Sequence, residues 1–334
     1  MMKQFKHQSG FSLIEMMVGL VLSLFLIGGV IQVYIANKDK YRFVEAAARV
    51  QENLRFAVET ITRDARQARF YGCINNPGKV EIHLDPAGAG YNPVIHAFQH
   101  GVIGEDATGL NGADGITLQG AFQHRLPLLS VVSPGVLMTS PDHGIMAGSF
   151  FAISNCNAFA KKSREIFQAT AGDQASGQID FGIGAGMPGN KTNTPIANAY
   201  NNKGDASVYP LSTITYSIAL STQTNEPSLF RQADELAAGI ENMQILYGIY
   251  RDTGVYEYKT ATELLAASAL ANPAEEFNNV VSIKLSILAV SQMQNVLEEP
   301  QKYEFNGAQL TAPDRRLRHV IETVIAVRNR LSTN

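Results

Sequence analysis

Hydrophobic side chains run almost unbroken from Phe11 to Ile35, and the only charged side chain in that stretch is Glu15. As a helix the stretch spans roughly 35 Å, enough to cross the hydrocarbon core of a bilayer. Beyond Ile35 the residues become amphipathic but keep a helical period. Val44, Ala47, Val50, Leu54, Val58, Ile61, Ala65 and Ala68 recur every three or four positions and form one apolar stripe. On the opposite face Glu45 with Arg49 and Glu59 with Arg63 stand one turn apart in the favourable order, each pair contributing roughly 0.2–0.5 kcal/mol. No proline occurs before Pro77, and the only glycines between Phe11 and Tyr71 are Gly19, Gly28 and Gly29. The pattern predicts one helix from Phe11 to about Phe70, ending at Gly72, with Gly28-Gly29 the easiest point to bend or melt. Its amphipathic half would pack on the chain's own sheet in preference to a coiled-coil partner.

From Gly72 onward the texture is that of short β runs broken by Gly, Pro, Asn and Asp. Strands are predicted over Lys79–Leu84, Gly115–Leu118, Leu128–Val132, Ser149–Ser154 and Ile166–Ala169. Gly172 to Asp205 is poor in apolar residues and reads as a long loop. Thr213–Ala219 and Ser228–Arg231 read as strands, and Met243, Ile245, Tyr247 and Ile249 alternate in a longer one. Ala261–Leu270 reads as a short helix before Pro273. Val281, Ile283, Leu285 and Ile287 alternate with Ser282, Lys284 and Ser286, the pattern of a strand with one buried face. Val320–Arg328 fits a last strand almost as well as a helix. A long N-terminal helix followed by an antiparallel sheet makes an α+β protein with long loops.

Charge narrows the possible partners. The 334 residues carry a formal charge of −3; removing Lys3 and Lys6 with the first ten residues leaves 25 basic against 30 acidic side chains, or −5. No basic stripe or aromatic-basic module suggests a nucleic-acid partner. The two cysteines, Cys73 and Cys156, allow one intramolecular pairing. In an oxidising compartment a Cys73–Cys156 bond would close a loop of about 84 residues and contribute roughly 4–5 kcal/mol; in a reducing one the pair would be two buried thiols. Lys38, Lys40 and Arg42 follow the apolar run as densely as Lys3 and Lys6 precede it, so flanking charge does not orient the helix.

Glu15 is the first candidate for function, because a carboxylate near the start of a membrane helix is costly unless partnered. A cut between Gly10 and Phe11 would place a new α-ammonium four residues from it. The short basic leader ending in Gly10, followed by Phe11-Ser12-Leu13-Ile14-Glu15 and about twenty apolar residues, resembles the class III leader of type IV pilins and type II secretion pseudopilins. Gly239-Ile240-Glu241-Asn242-Met243-Gln244-Ile245-Leu246-Tyr247-Gly248 and the terminal Ala326-Val327-Arg328-Asn329-Arg330 resemble the PilW minor pilins, relatives of the J-type pseudopilin.

The resemblance implies a pilin-like α+β fold and four segments. These are a cleaved leader over 1–10, a transmembrane half-helix over 11–35, an amphipathic periplasmic half over 36–71 and a β-rich head over 72–334. It implies cleavage after Gly10 by a prepilin peptidase, methylation of Phe11, and a role for Glu15 in docking the subunit. It further implies a protein first held in the inner membrane with its head in the periplasm and then in the pilus. There it would prime or cap the tip with other minor pilins, the major pilin, an assembly platform and a tip adhesin. A type II secretion pseudopilin and a membrane-tethered periplasmic enzyme or receptor are the alternatives.

Signals for catalysis or cofactors are weak. Gly184, Gly186 and Gly189 match a phosphate-cradle spacing, but no helix pattern follows them. Among the seven histidines only His96 and His100 share a helical spacing, and nearby Gly and Pro favour a loop. There is no Gly-x-Ser-x-Gly elbow, Walker loop or Cys-x-x-Cys. Arg251-Asp252-Thr253-Gly254 holds too few carboxylates for calcium. The expectation is a non-enzymatic protein with no metal and no cofactor.

Overall fold

The computed structural model describes residues 12–72, 80–92, 95–96, 98, 100–155, 164–184, 186–192, 206–250, 256–266 and 273–327. Its first element is a 55-residue helix, α1, Leu13–Gln67, on the order of 80 Å long at 1.5 Å per residue. The helix runs unbroken through Gly28-Gly29, since glycine retains the N–H that the hydrogen-bond ladder needs. It stops short of Phe70 because the Arg69 N–H donates to the Gln119 carbonyl of the sheet (2.7 Å), with Arg69 at φ 64°.

The buried line on α1 runs through Ala46, Val50, Leu54, Ala57, Ile61 and Ala65, with Ala68 just past its end. This is the expected stripe turned by a residue or so. Val44 is 64% exposed, because full burial against the head begins at Ala46, and Ala57 lies deeper than Val58. Small side chains at 46, 57, 65 and 68 allow close approach to the sheets. Thr60 and Asp64, polar residues outside the apolar pattern, are also buried. The Glu45–Arg49 pair forms at 2.9 Å, but Glu59 meets Arg55 at 3.4 Å and Arg63 turns to Asp64 at 3.4 Å.

One long strand, Ala206–Leu220, organises the head. Its first half pairs antiparallel with Phe150–Asn155, and its second half lies between Gly115–Gly120 and Pro227–Arg231, so it stitches both ends of a nine-stranded sheet together. Outside Phe150–Asn155 come Arg164–Gln168 and then Val80–Ile82, the latter pair parallel. The C-terminal sheet is wholly antiparallel, in the order Tyr256–Lys259, Ile240–Tyr250, Val280–Val290, Arg318–Ala326. The last of these resolves the strand-or-helix alternative at 320–328 in favour of a strand as far as Ala326. Val102–Glu105, Leu126–Pro127 and Asp234–Ala238 also belong to the nine-stranded sheet, and a small sheet (Ser130–Ser133, Val136–Met138, Gln178–Asp180, Ala171–Asp173) and the hairpin Lys302–Phe305/Ala308–Thr311 complete the described strands.

Alternation on these strands sets the cores. Ile214, Tyr216 and Ile218 face α1 together with Met243, Ile245, Ile283, Leu285 and Ile287 of the C-terminal sheet, so helix and both sheets share one core. On Ala206–Leu211 the faces separate. Ala206 and Val208 join Phe151, Ile153, Phe167, Ile179 and Phe181, while Tyr209 and Leu211 join Tyr71, Leu84, Phe98 and Ile166 on the other side.

The tract from Gly172 is not simply a loop. Ile179 and Phe181 are fully buried, and the buried Asn190 side chain bonds the main chain of Gln168 on both its N–H (2.8 Å) and its carbonyl (2.7 Å), standing in for a strand neighbour. Residues 193–205 of that tract lie outside the described residues, as do 267–270 at the end of the expected helix, of which Ala261–Ala266 is helical.

Candidate functional site

Every residue from Ser12 to Tyr41 is exposed, including Leu20, Leu24, Phe25, Ile27 and Ile31. The helix is long and apolar enough to cross a membrane, and nothing in the described residues covers its apolar half. Its hydrogen bonds are satisfied within the helix, which is the condition for a segment in lipid. At its start Ser12 is extended (φ −71°, ψ 143°), and the Ser12 N–H donates to Glu15 Oε2 at a long 3.5 Å. The carboxylate therefore bends back over the first turn, toward unpaired N–H groups and the positive end of the helix dipole. Gly10 and Phe11 lie outside the described residues, as do Cys73, Cys156 and Arg251–Gly254.

The lower half of α1 is fastened to the head by polar contacts as well as by packing. Asn53 Nδ2 donates to the Ala238 carbonyl (2.8 Å) and Arg42 to that of Gln294 (2.9 Å). Asp64 accepts from the Tyr216 hydroxyl (2.6 Å) and from Arg231 Nε (3.0 Å). Burial, reinforced by the neighbouring Asp64 carboxylate, pushes the Tyr216 hydroxyl well above its ordinary pKa, so it stays a donor.

The Gly239-to-Gly248 stretch is the joint between the sheets. Gly239, at φ 77°, donates its N–H to Pro227 of the nine-stranded sheet (2.7 Å) and accepts at its carbonyl from Val290 of the C-terminal sheet (2.8 Å). A Cβ there would stand 2.6 Å from the Val290 carbonyl oxygen, which leaves room for glycine alone. Glu241 takes two bonds from the buried Arg318 guanidinium (2.7 and 3.1 Å), which also reaches Asp314 at 2.6 Å. Burial pulls the Arg318 pKa down, but the two carboxylates outweigh it and hold the group above its ordinary value. The Tyr247 ring packs edge-on against Phe277 and over Gly104, and Gly248 leaves room for Ser282. These are joints of the fold rather than a reacting centre.

A family model described as Type IV Pilus-assembly protein W matches residues 208–329, and one described as Prokaryotic N-terminal methylation motif matches residues 5–31. The chain is a type IV pilin of the PilW type. No curated protein and no solved structure matches it. The first match spans the whole joint between the sheets, from within the long Ala206–Leu220 strand to beyond Ala326; the second contains Glu15 and the start of the uncovered helix. This PilW-type pilin acts in type IV pilus assembly, is anchored through its N-terminal apolar helix, and works with other pilins and the prepilin peptidase.

The histidines are mostly parts of the head's framework. In the PilW-type pilin His96 Nδ1 accepts from the Asn92 N–H (2.8 Å), its ring lies against Tyr91 and Phe150, and burial lowers its pKa. His100 is fully buried. The sequence reading missed a different group: Glu81, His83 and Glu165, whose ligand atoms lie within 4.8 Å of one another. Only the alternation Glu81-x-His83 was visible in the chain; Glu165 is brought in by strand pairing across 82 residues.

Proposed function

We propose that this pilin is a minor pilin that primes or caps the pilus at its tip. In this reading residues 1–10 are a leader that prepilin peptidase removes between Gly10 and Phe11, with methylation of Phe11. Residues 11–35 then sit in the inner membrane, residues 36–71 continue the helix into the periplasm, and residues 72–334 form the periplasmic head until the subunit enters the pilus. The observation that carries the reading is the uncovered apolar half of α1, whose single carboxylate bends back on its own first turn. A cut after Gly10 would put an α-ammonium within reach of Glu15, in the subunit itself or from a neighbour. A pair made between subunits would couple charge neutralisation to one axial register.

The bulk of the head favours an end of the filament over a repeating shaft position. Its partners would be other minor pilins, the major pilin, the assembly platform and a tip adhesin. PilW and methylation-motif families are structural rather than enzymatic. The groove of about 450 Å³ between α1 and Val290–Met293 is lined on the helix side by Ala46, Arg49, Val50, Glu52 and Asn53. A Cys73–Cys156 bond fits a periplasmic head, and alkylation under non-reducing, denaturing conditions tests it.

Glu15→Gln and Glu15→Leu test the role in assembly. Both variants should insert and be cleaved, yet reach the pilus in lower amounts and recover fewer partner pilins on co-purification. Wild-type incorporation of both would refute the role of Glu15.

A further inference from the structure

Val80–Ile82 runs parallel to Arg164–Gln168 with Glu81 directly opposite Glu165. Alternate residues share a strand face, so His83 follows Glu81 on that face and Phe167 follows Glu165. His83 continues the ladder through its N–H to the Ile166 carbonyl (2.9 Å), and its own carbonyl accepts from Lys191 (2.8 Å). Its ring is held flat on Phe167, with centroids 4.5 Å apart at 18°. His83 Nε2 then lies 3.1 Å from Glu165 Oε1 and 4.0 Å from Glu81 Oε2.

One ring nitrogen carries at most one proton and can donate it to one of these two carboxylates. The Glu165 side chain is completely buried, His83 is 12% exposed and Glu81 is 51% exposed, so the group closes at its inner end and opens to solvent through Glu81. A cation bound to nitrogen and oxygen at roughly 2.0–2.2 Å in a tetrahedral site needs its ligands on the order of 3.4 Å apart. The observed separations reach that value with small side-chain movements.

We propose that Glu81, His83 and Glu165 bind one divalent cation of the zinc class. Imidazole selects for such ions over calcium or magnesium. Three protein ligands leave a fourth position for water or for a donor from a neighbouring subunit. The ion would fasten Val80–Ile82, an outer strand of the nine-stranded sheet, to its neighbour Arg164–Gln168. This inference does not depend on where in the pilus the subunit sits.

The test uses the full chain in detergent, stripped with a chelator and dialysed against zinc chloride, with bound zinc counted by atomic emission. Visible absorption of the cobalt(II)-loaded protein reports the ligand set. Wild type should hold one equivalent with a cobalt spectrum of nitrogen and oxygen ligands. His83→Gln should lose it, and Glu81→Gln, at an exposed position that leaves the fold intact by circular dichroism, should weaken it about tenfold or more. No bound equivalent would overturn the proposal and leave an ordinary His83–Glu165 hydrogen bond. So would an equivalent that persists in both variants, or a thiolate-to-cobalt band assigning the metal to cysteine.

Discussion

The Tyr216 hydroxyl donates to Asp64 Oδ2 at 2.6 Å across 152 residues of sequence, and so pins the lower half of α1 to the long strand that joins the two ends of the nine-stranded sheet. Asp64 is buried, so removing this donor leaves Arg231, itself partly exposed, as its remaining strong partner. Tyr216→Phe should therefore cost about 1–3 kcal/mol. Denaturant unfolding of the detergent-solubilised chain measures it; unchanged stability would mean that the Tyr216–Asp64 bond does not help to fix the helix.

Arg318 has the opposite placement, since a buried cation is held by two partly exposed carboxylates, Glu241 and Asp314. Arg318→Met should destabilise by about 3 kcal/mol, the low end for a broken buried pair, because solvent can reach both partners it leaves behind. Adding Glu241→Leu should recover part of the loss in a double-mutant cycle.

Acid should act through the same cluster. Burial alone would raise the Asp314 pKa, but bonds from Arg318 and the Arg316 N–H outweigh it and hold the carboxyl below its ordinary 3.8. A carboxyl depressed on folding stabilises the fold above its unfolded pKa, and that stabilisation is lost as the pH falls through the folded value. The melting temperature should drop as the pH falls below about 3.8, and Asp314→Asn should make that drop shallower. Identical acid limbs in the two proteins would contradict the assignment.

Gly239 and Gly307 separate backbone strain from steric clash. Both have positive φ (77° and 73°), but a Cβ at Gly239 meets the Val290 carbonyl at 2.6 Å whereas one at Gly307 meets nothing within 4 Å. Gly307→Ala should cost about 1–2 kcal/mol from the left-handed backbone alone. Gly239→Ala should cost clearly more and loosen the joint between the sheets, as amide exchange at Pro227–Arg231 and Val280–Val290 would report.

The α+β architecture was legible where a single period governs many residues. The helical repeat predicted α1 to within a few residues, and the alternation from Val281 to Ile287 marked the strand Val280–Val290. The Gly10-to-Glu15 motif was legible because its chemistry is contiguous. Features that depend on a distant partner were not. Asp64 reads as a solvent-facing charge until Tyr216 and Arg231 reach it, and Asn190 reads as loop until it bonds the Gln168 main chain. Short strands such as Val102–Glu105 and Val136–Met138 hold too few residues for a period to show. Glu165 could not be joined to His83 before the parallel pairing was known.

The central claim is that the chain is processed as a prepilin and then assembled, and intact-mass and N-terminal peptide spectrometry of the protein recovered from sheared pili tests it most directly. The account predicts a chain that begins at Phe11 with one added methyl group on its amino nitrogen. Recovery in pili of a chain that still begins at Met1 would contradict it.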